Sequence, residues 1–337
     1  GFNRSISGGY VTQPSSANVG PTMPWHDSSV NAALELKPRT DHKFRFVTNS
    51  VDRYAESNGY GLANVQKRSK QTTSGLTWFV DWNDQWRSQI SVNGSRISTD
   101  GTDGSNHVTT GRDISMLAQH ESGSGTLSVG LESKLDKLEA AGDTYNLAIA
   151  EKRRQNGASV GWAFETGDLA WKLSTRFDDD EKFGGNTSNA VGVSMPFGSS
   201  WRFSAGVGTA FRAPTIEQTT GSYGSATLRP EVGTSKEVRL AYGGGDSSAD
   251  LTIYRSDYRD MFGTGGSACA AGMFCYVNVS RAKVEGLTLG GKTQIGIATL
   301  SGHIDVLRAR NSVTGKLLNY RPKESATVDL TAPIQQW

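Results

Sequence analysis

Apolar side chains recur at every second position in segment after segment of this chain. Leu127, Val129, Leu131 and Leu135 alternate with Ser128, Gly130, Glu132 and Lys134, and Leu169, Trp171, Leu173, Thr175 and Phe177 alternate with Ala170, Lys172, Ser174 and Arg176. The same period returns in Val191, Val193, Met195 and Phe197, in Trp201, Phe203, Ala205 and Val207, and in Ala298, Leu300, Ile304 and Val306. A period of two is that of a strand with one face in an apolar medium and the other in water. It predicts about 16 strands, many of about 10 to 15 residues, whereas strands of soluble proteins run to about 5 or 6. No helix longer than two turns is expected. A tilted strand needs about 9 to 11 residues to cross a bilayer, and lipid admits β structure only as a closed barrel in which every backbone amide is paired. The pattern therefore predicts an all-β fold, a transmembrane antiparallel β-barrel.

The connections support this. Short polar turns are read at Pro38-Arg39-Thr40-Asp41, Asn83-Asp84-Gln85, Ser122-Gly123-Ser124-Gly125, Gly198-Ser199-Ser200 and Gly243-Gly244-Gly245-Asp246. Between them come longer links near 13–26, 54–63, 99–107, 178–186, 212–231, 259–275 and 309–317. Tight turns on one side and long loops on the other are the asymmetry of outer-membrane barrels. Counting from a first outward strand near residue 4 places every long loop outside. Aromatics cluster at the strand ends: Trp82 and Trp86 beside one short turn, Phe197 and Trp201 beside another, and Tyr54, Tyr60, Phe177, Phe211, Tyr258 and Phe262 toward the long loops. Trp and Tyr favour the bilayer interface, where one edge stays apolar and the other hydrogen-bonds.

Composition narrows the function classes. With 337 residues and a formal charge of +2, the chain lacks the concentrated basic face that nucleic-acid binding requires, and no nucleic-acid partner is expected. No run of about 18 apolar residues provides a transmembrane helix. The start GFNRSISGGY lacks the form of a signal peptide, so an exported protein would already have lost its leader. The 40 glycines are assigned to turns and to curved strands.

From about residue 200 onward, ordered local motifs carry a resemblance. They are Gly208-Thr209-Ala210-Phe211-Arg212-Ala213-Pro214-Thr215, Leu228-Arg229-Pro230-Glu231 and Tyr254-Arg255-Ser256-Asp257-Tyr258-Arg259-Asp260-Met261. Next come the run from Tyr276-Val277-Asn278 to Val284-Glu285-Gly286, then Ala309-Arg310-Asn311 through Leu317-Leu318, and Arg321-Pro322-Lys323. In this order they resemble the barrel of TonB-dependent outer-membrane receptors, nearest the vitamin B12 (cobalamin) branch. Residues 1–200 are similar only in rhythm and turn placement. The resemblance implies a barrel of about 22 strands around a plug. Residues 1–337 are thus expected to be a partial barrel, with the plug, the first strands and the last strands outside this chain. It further implies a monomer in the outer membrane of a Gram-negative bacterium, in contact with lipid and lipopolysaccharide and driven by the TonB complex through the plug. Cobalamin is the preferred substrate and a ferric siderophore the alternative; a passive porin, which would need an inward-folded constriction loop, or a surface adhesin is a more distant reading.

No enzyme is expected. His26, His42, His107, His120 and His303 are scattered, without the His-Glu-x-x-His spacing of a metal-binding helix. Gly206 and Gly208 precede no helix that would make a phosphate cradle. His303 and Asp305 share a strand face, which a solvated lumen explains more simply than catalysis. Cys269 and Cys275, the two cysteines, are expected to form a disulfide that stiffens an outer loop, two free thiols being the alternative. Asp178, Asp179, Asp180 and Glu181 offer carboxylates for calcium, though a solvated or lipopolysaccharide-facing charge run is the simpler reading. Cobalamin receptors of the family hold calcium on loop carboxylates, but the corresponding loops here keep only Asp27, Asp52 and Glu56, so no metal site is assigned and no cofactor is expected beyond a loop calcium. Arg53, Arg212, Tyr223, Arg229 and Tyr258 are the candidate substrate contacts at the barrel mouth, and loop solubility accounts for them equally well.

Overall fold

A computed structural model describes residues 1–7, 24–59, 62–142, 147–265, 275–318 and 321–333. Its strands are β1 (Phe2–Ser7), β2 (Trp25–Arg39), β3 (His42–Gly59), β4 (Leu62–Asp81) and β5 (Trp86–Gly101). They continue as β6 (His107–Ser122), β7 (Gly125–Ala140), β8 (Ile149–Thr166), β9 (Leu169–Asp180), β10 (Gly184–Phe197) and β11 (Trp201–Arg212). A short helix, α1 (Ile216–Thr220), precedes β12 (Glu231–Gly244), β13 (Ser247–Gly265), β14 (Cys275–Ile295), β15 (Ala298–Asn311) and β16 (Glu324–Thr331). All 16 strands form one sheet in sequence order, each antiparallel to the next, as expected of an up-and-down barrel wall.

Cross-strand register shows why alternation builds this wall. Phe44, Trp78, Ile90, Met116 and Leu131 stand opposite one another on successive strands, so the apolar residues of five strands form one continuous row. Leu76, Val92, Ile114 and Leu131 remain exposed in the isolated chain, which is how a lipid-facing surface reads when no lipid is present. Toward the short turns this face carries an aromatic girdle. Trp78 stacks on His42 and Phe44, Trp86 on His120, Trp162 on Phe164, and Phe164 on Trp171. Trp78 Nε1 also donates to His42 Nδ1 at 3.1 Å. Two of the scattered histidines, His42 and His120, therefore stack on tryptophan rings of this girdle, and His42 also accepts a hydrogen bond from its tryptophan.

Three expectations need correction. The links near 54–63 and 178–186 are not long loops, because β3 and β4 remain paired out to Gly59 and Leu62, and β9 and β10 to Asp180 and Gly184. Hydrophobic alternation ends where lipid ends, but the backbone ladder continues into water, so strands outlast their apolar signal. Three further connections, an outer one between Ala140 and Ile149 and the two-residue turns Gly167-Asp168 and Gly296-Ile297, give no signal in the apolar pattern. Gly167 adopts a φ of 60° there, which glycine takes without a Cβ penalty. Finally, the glycines act by clearance as well as by curvature. A Cβ at Gly286 would stand 2.5 Å from Tyr254 Cζ, and one at Gly157 would stand 2.8 Å from Arg176 Cζ. Each glycine lets a long side chain of the next strand lie flat along the lumen wall.

Candidate functional site

The outer mouth is organised by the segment from Ala213 to Pro230, between β11 and β12. Its start is fixed by a capping box: Thr215 Oγ1 accepts from the Gln218 backbone N–H at 3.1 Å, and the Thr215 N–H donates to Gln218 Oε1 at 2.9 Å. This satisfies two donors that a helix start leaves open. Thr219 is buried and donates to the Ile216 carbonyl at 3.0 Å, and α1 packs on β7 and β8. Pro214 is fully buried, and its carbonyl receives the Arg153 guanidinium from β8. The Leu147 N–H donates to Ser222 Oγ at 3.1 Å. The loop thus leans inward across the mouth to the β8 wall.

Its returning limb is held on the opposite side. Asn278 of β14 accepts from the Arg229 N–H at 2.9 Å, and its amide nitrogen donates to the Arg229 carbonyl at 2.9 Å and to the Asp260 carbonyl at 2.6 Å. The Arg229 guanidinium also meets the Asp260 carboxylate. Asp260 has a φ of 55°, a left-handed conformation that Asp tolerates better than most residues; it turns the β13 backbone toward the loop. Leu228, buried beside this staple, supplies the apolar contact.

Under the β8 end lies a charge cluster. Asp180 is 0% exposed and Arg153 12%, with Arg153 Nε 3.4 Å from Asp180 Oδ2. Asp180 Oδ1 accepts from the backbone N–H groups of Lys182 and Phe183 at 2.9 and 3.2 Å, which closes the β9–β10 link. Arg176 bridges Asp178 at 2.7 Å and Glu132 at 2.9 Å.

The predicted contacts divide into two groups. Arg212, Tyr223, Arg229 and Tyr258 gather around β11 to β14. Arg212 lies 5.3 Å from the Phe262 ring centroid and 3.9 Å from Glu231, with 63% of its side chain exposed. Arg229 is 69% exposed. Tyr223 is exposed, and its carbonyl accepts from the Tyr276 N–H at 2.9 Å. Tyr258 occupies the space that a Cβ at Gly233 would need. Arg53 lies apart on β3, 3.8 Å from Asp27.

The acidic candidates do not converge. Asp27 and Arg53 face the lumen, whereas Asp52 and Glu56 fall on the outer face in phase with Phe44 and Phe46. Asp52 is bound through both oxygens by Arg68 at 3.0 and 2.6 Å, and Glu56 accepts from Tyr54 Oη at 2.6 Å. Asp178, Asp179 and Asp180 close strand β9 instead of lying in a loop. Asp178 and Asp180 face the lumen in ion pairs, while Asp179 points outward. Among the described residues no three His, Cys, Asp or Glu side chains come together as a metal site. His303 Nε2 lies 3.6 Å from Asp305 Oδ2, and Asp305 accepts from Thr288 at 2.7 Å and Ser325 at 3.3 Å, making a lumen hydrogen-bond net. Cys269 lies outside the described residues, so the expected bridge to Cys275 does too; Tyr60 also lies outside them. Arg153, Asp260 and Asn278 were not singled out as site residues by sequence reasoning, and Asp180 was singled out only as a calcium candidate. Asp260 and Asn278 stand inside the motifs quoted above, but nothing local marks Arg153.

Comparison with known proteins adds the following. A family model described as TonB dependent receptor-like, β-barrel matches residues 5–337, including the first 200, where only rhythm suggested a likeness. The siderophore receptor PirA from Acinetobacter baumannii superposes with a TM-score of 0.79 at 15% identity, over 94% of this chain and 57% of that one. The ferric enterobactin receptor PfeA from Pseudomonas aeruginosa gives 0.76 at 16%, over 93% and 56%. The copper transporter OprC gives 0.78 at 16%, over 99% and 60%. The chain thus spans less than two thirds of the length of each, and at these identities the likeness is one of fold.

Proposed function

Because the chain belongs to the TonB-dependent receptor-like β-barrel family, we propose that it forms the barrel wall and outer loops of a receptor that captures a scarce nutrient at the outer membrane of a Gram-negative bacterium. The family match over residues 5–337 carries this reading. The inward-leaning 213–230 loop is a feature a porin would also show, and family membership is what weighs against that alternative. Further strands, a lumen plug and coupling to TonB through that plug, all implied by the family resemblance, belong to the same proposal.

For the substrate we favour a ferric siderophore over cobalamin. None of the three structures above is described as a cobalamin receptor, and two are described as siderophore or ferric enterobactin receptors. The mouth supports the same choice. Arg212 and Arg229 present largely exposed guanidinium groups, which would draw in an anionic ferric chelate and hydrogen-bond its oxygens. Calorimetric titration of the complete receptor with a ferric catecholate, a ferric hydroxamate, cyanocobalamin and copper(II) tests the reading. Submicromolar binding of one ferric chelate, weakened at least tenfold in R212Q/R229Q and by added salt, is expected. Tight binding of cyanocobalamin alone would restore the cobalamin branch, and copper alone would point to metal uptake. If none of the four binds tightly, nutrient capture fails as a function. The Cys269–Cys275 bridge is proposed to stiffen the loop beside this mouth.

A further inference from the structure

The two mouth arginines face carboxylates of the chain itself, but they are held differently. Arg212 stands opposite Glu231 in the sheet, and Val232 opposite Arg259, so Arg212, Arg229, Glu231 and Asp260 share one corner of the mouth. Arg212 lies 3.9 Å from Glu231, beyond hydrogen-bond length, with 63% of its side chain exposed. Arg229 is 69% exposed, yet its guanidinium donates directly to the carboxylate of Asp260, whose side chain is 26% exposed. One guanidinium is open and the other is occupied.

The backbone and the head of Arg229 are held separately. Asn278 accepts from the Arg229 N–H and donates to the Arg229 carbonyl, both at 2.9 Å, and donates to the Asp260 carbonyl at 2.6 Å. These bonds fix where the side chain begins, and none of them involves the guanidinium. Among the described residues the head meets only the Asp260 carboxylate. An ion pair this open to water is weakly held. On a clamped backbone it can exchange its partner without any movement of the chain.

We propose that Asp260 is an internal counter-ion that occupies Arg229 until an anionic ligand displaces it, so that the mouth sorts ligands by charge. The inference rests on the anionic-chelate reading above. Arg212 meets the incoming anion first, and ligand oxygens then replace the Asp260 carboxylate on Arg229, whose backbone stays on Asn278. A neutral ligand has no charge with which to replace that of Asp260. When a binding group is engaged elsewhere, apparent affinity falls by the fraction of it that is free. Removing the Asp260 charge should therefore tighten binding of an anion. A carboxylate that only tied the loop down would, on removal, weaken it.

The test uses the complete receptor and Asp260→Asn, because Asn keeps the shape of the side chain and tolerates the φ of 55°. Calorimetry compares a trianionic ferric tris-catecholate with a neutral ferric tris-hydroxamate. D260N should bind the catecholate at least threefold more tightly than the wild type and the hydroxamate within about twofold of it. R229Q/D260N should bind the catecholate no more tightly than R229Q, since the effect passes through Arg229. Looser or equal catecholate binding by D260N, or tight binding of the hydroxamate alone, overturns the counter-ion.

Two further measurements separate the causes of failure. Without ligand, phenylglyoxal should modify Arg229 at least threefold faster in D260N, with Arg212 unchanged, as read by peptide mass spectrometry; an unchanged rate at Arg229 overturns the counter-ion whatever the ligand. In the wild type, where no variant has to fold, carbodiimide labelling of Asp260 should rise when the catecholate binds, and protection of Asp260 overturns the exchange. If Arg229 is freed in D260N but neither chelate binds either protein, the nutrient reading has failed and the exchange falls with it. If a chelate binds and Arg229 is no freer, the counter-ion alone has failed.

Discussion

Replacing Arg153 with Met should destabilise the outer end of the barrel by about 3 to 5 kcal/mol, the usual cost of stripping one partner from a buried ion pair. The magnitude follows from burial. Asp180 has 0% of its side chain exposed and Arg153 12%, so water cannot replace the lost guanidinium. Asp180 Oδ1 is engaged by two backbone N–H groups, but Oδ2 has no hydrogen-bond donor among the described residues, and the charge of Arg153, 3.4 Å away, is its compensation. The same substitution frees the Pro214 carbonyl. An Asp180→Asn change removes the charge while its Oδ1 still accepts from Lys182 and Phe183. In the Arg153→Met background it should therefore recover about half of the loss. Denaturant unfolding of the complete receptor in micelles, followed by tryptophan fluorescence, gives the four corners of the double-mutant cycle, and limited proteolysis of the 213–230 loop shows where the loss falls. An Arg153→Met variant within about 0.5 kcal/mol of wild type, the range of ordinary surface substitutions, would refute the reasoning, as would a double variant no better than Arg153→Met alone.

Other outcomes follow from the same geometry. Asp103 lies in the outer turn between β5 and β6; burial raises its pKa, but hydrogen bonds from Ser105 and Lys67 outweigh this and lower it to about 2. Since the folded value lies below the ordinary one, the turn's stabilisation is complete above about pH 4 and lost as pH falls toward 2. Hydrogen exchange at residues 101–107 should show that window, and Lys67→Gln should move its midpoint upward. Gly286→Val should cost about 1 to 3 kcal/mol by overpacking against Tyr254, with Tyr254→Ala restoring part of it in thermal unfolding. Mass spectrometry of the unreduced receptor should find no alkylation at Cys269 or Cys275, and C269S/C275S should raise the ligand dissociation constant by loosening the loop; alkylation of both in the wild type would remove the bridge.

Strand number and polarity were legible because one face of each strand meets lipid. That requirement writes a period of two directly into the residues, and Leu127, Val129 and Leu131 suffice to read it. The ends of β3 and β9 were not legible, since above the lipid both faces of a strand are wet and the alternation that marks it disappears while its hydrogen bonds continue. The mouth was half legible. Arg212 and Arg229 stand in recognisable local motifs, but Arg153 is an ordinary basic residue on an ordinary strand.

By itself, then, the sequence determined a lipid-facing antiparallel wall, because exclusion of water acts on each strand separately and is encoded locally, while ordered local motifs carried the resemblance to the family that uses it. Only the tertiary structure decided which charges meet. Alternation and register set Asp27 and Asp52 on opposite faces, brought Arg153 from β8 against Pro214 from a loop 61 residues away, and aligned Lys236, Arg255 and Arg308 along one row. The faces and rows depend on cross-strand register and the Arg153–Pro214 contact on a loop packing across the mouth, and both are relations between segments that neither segment carries alone.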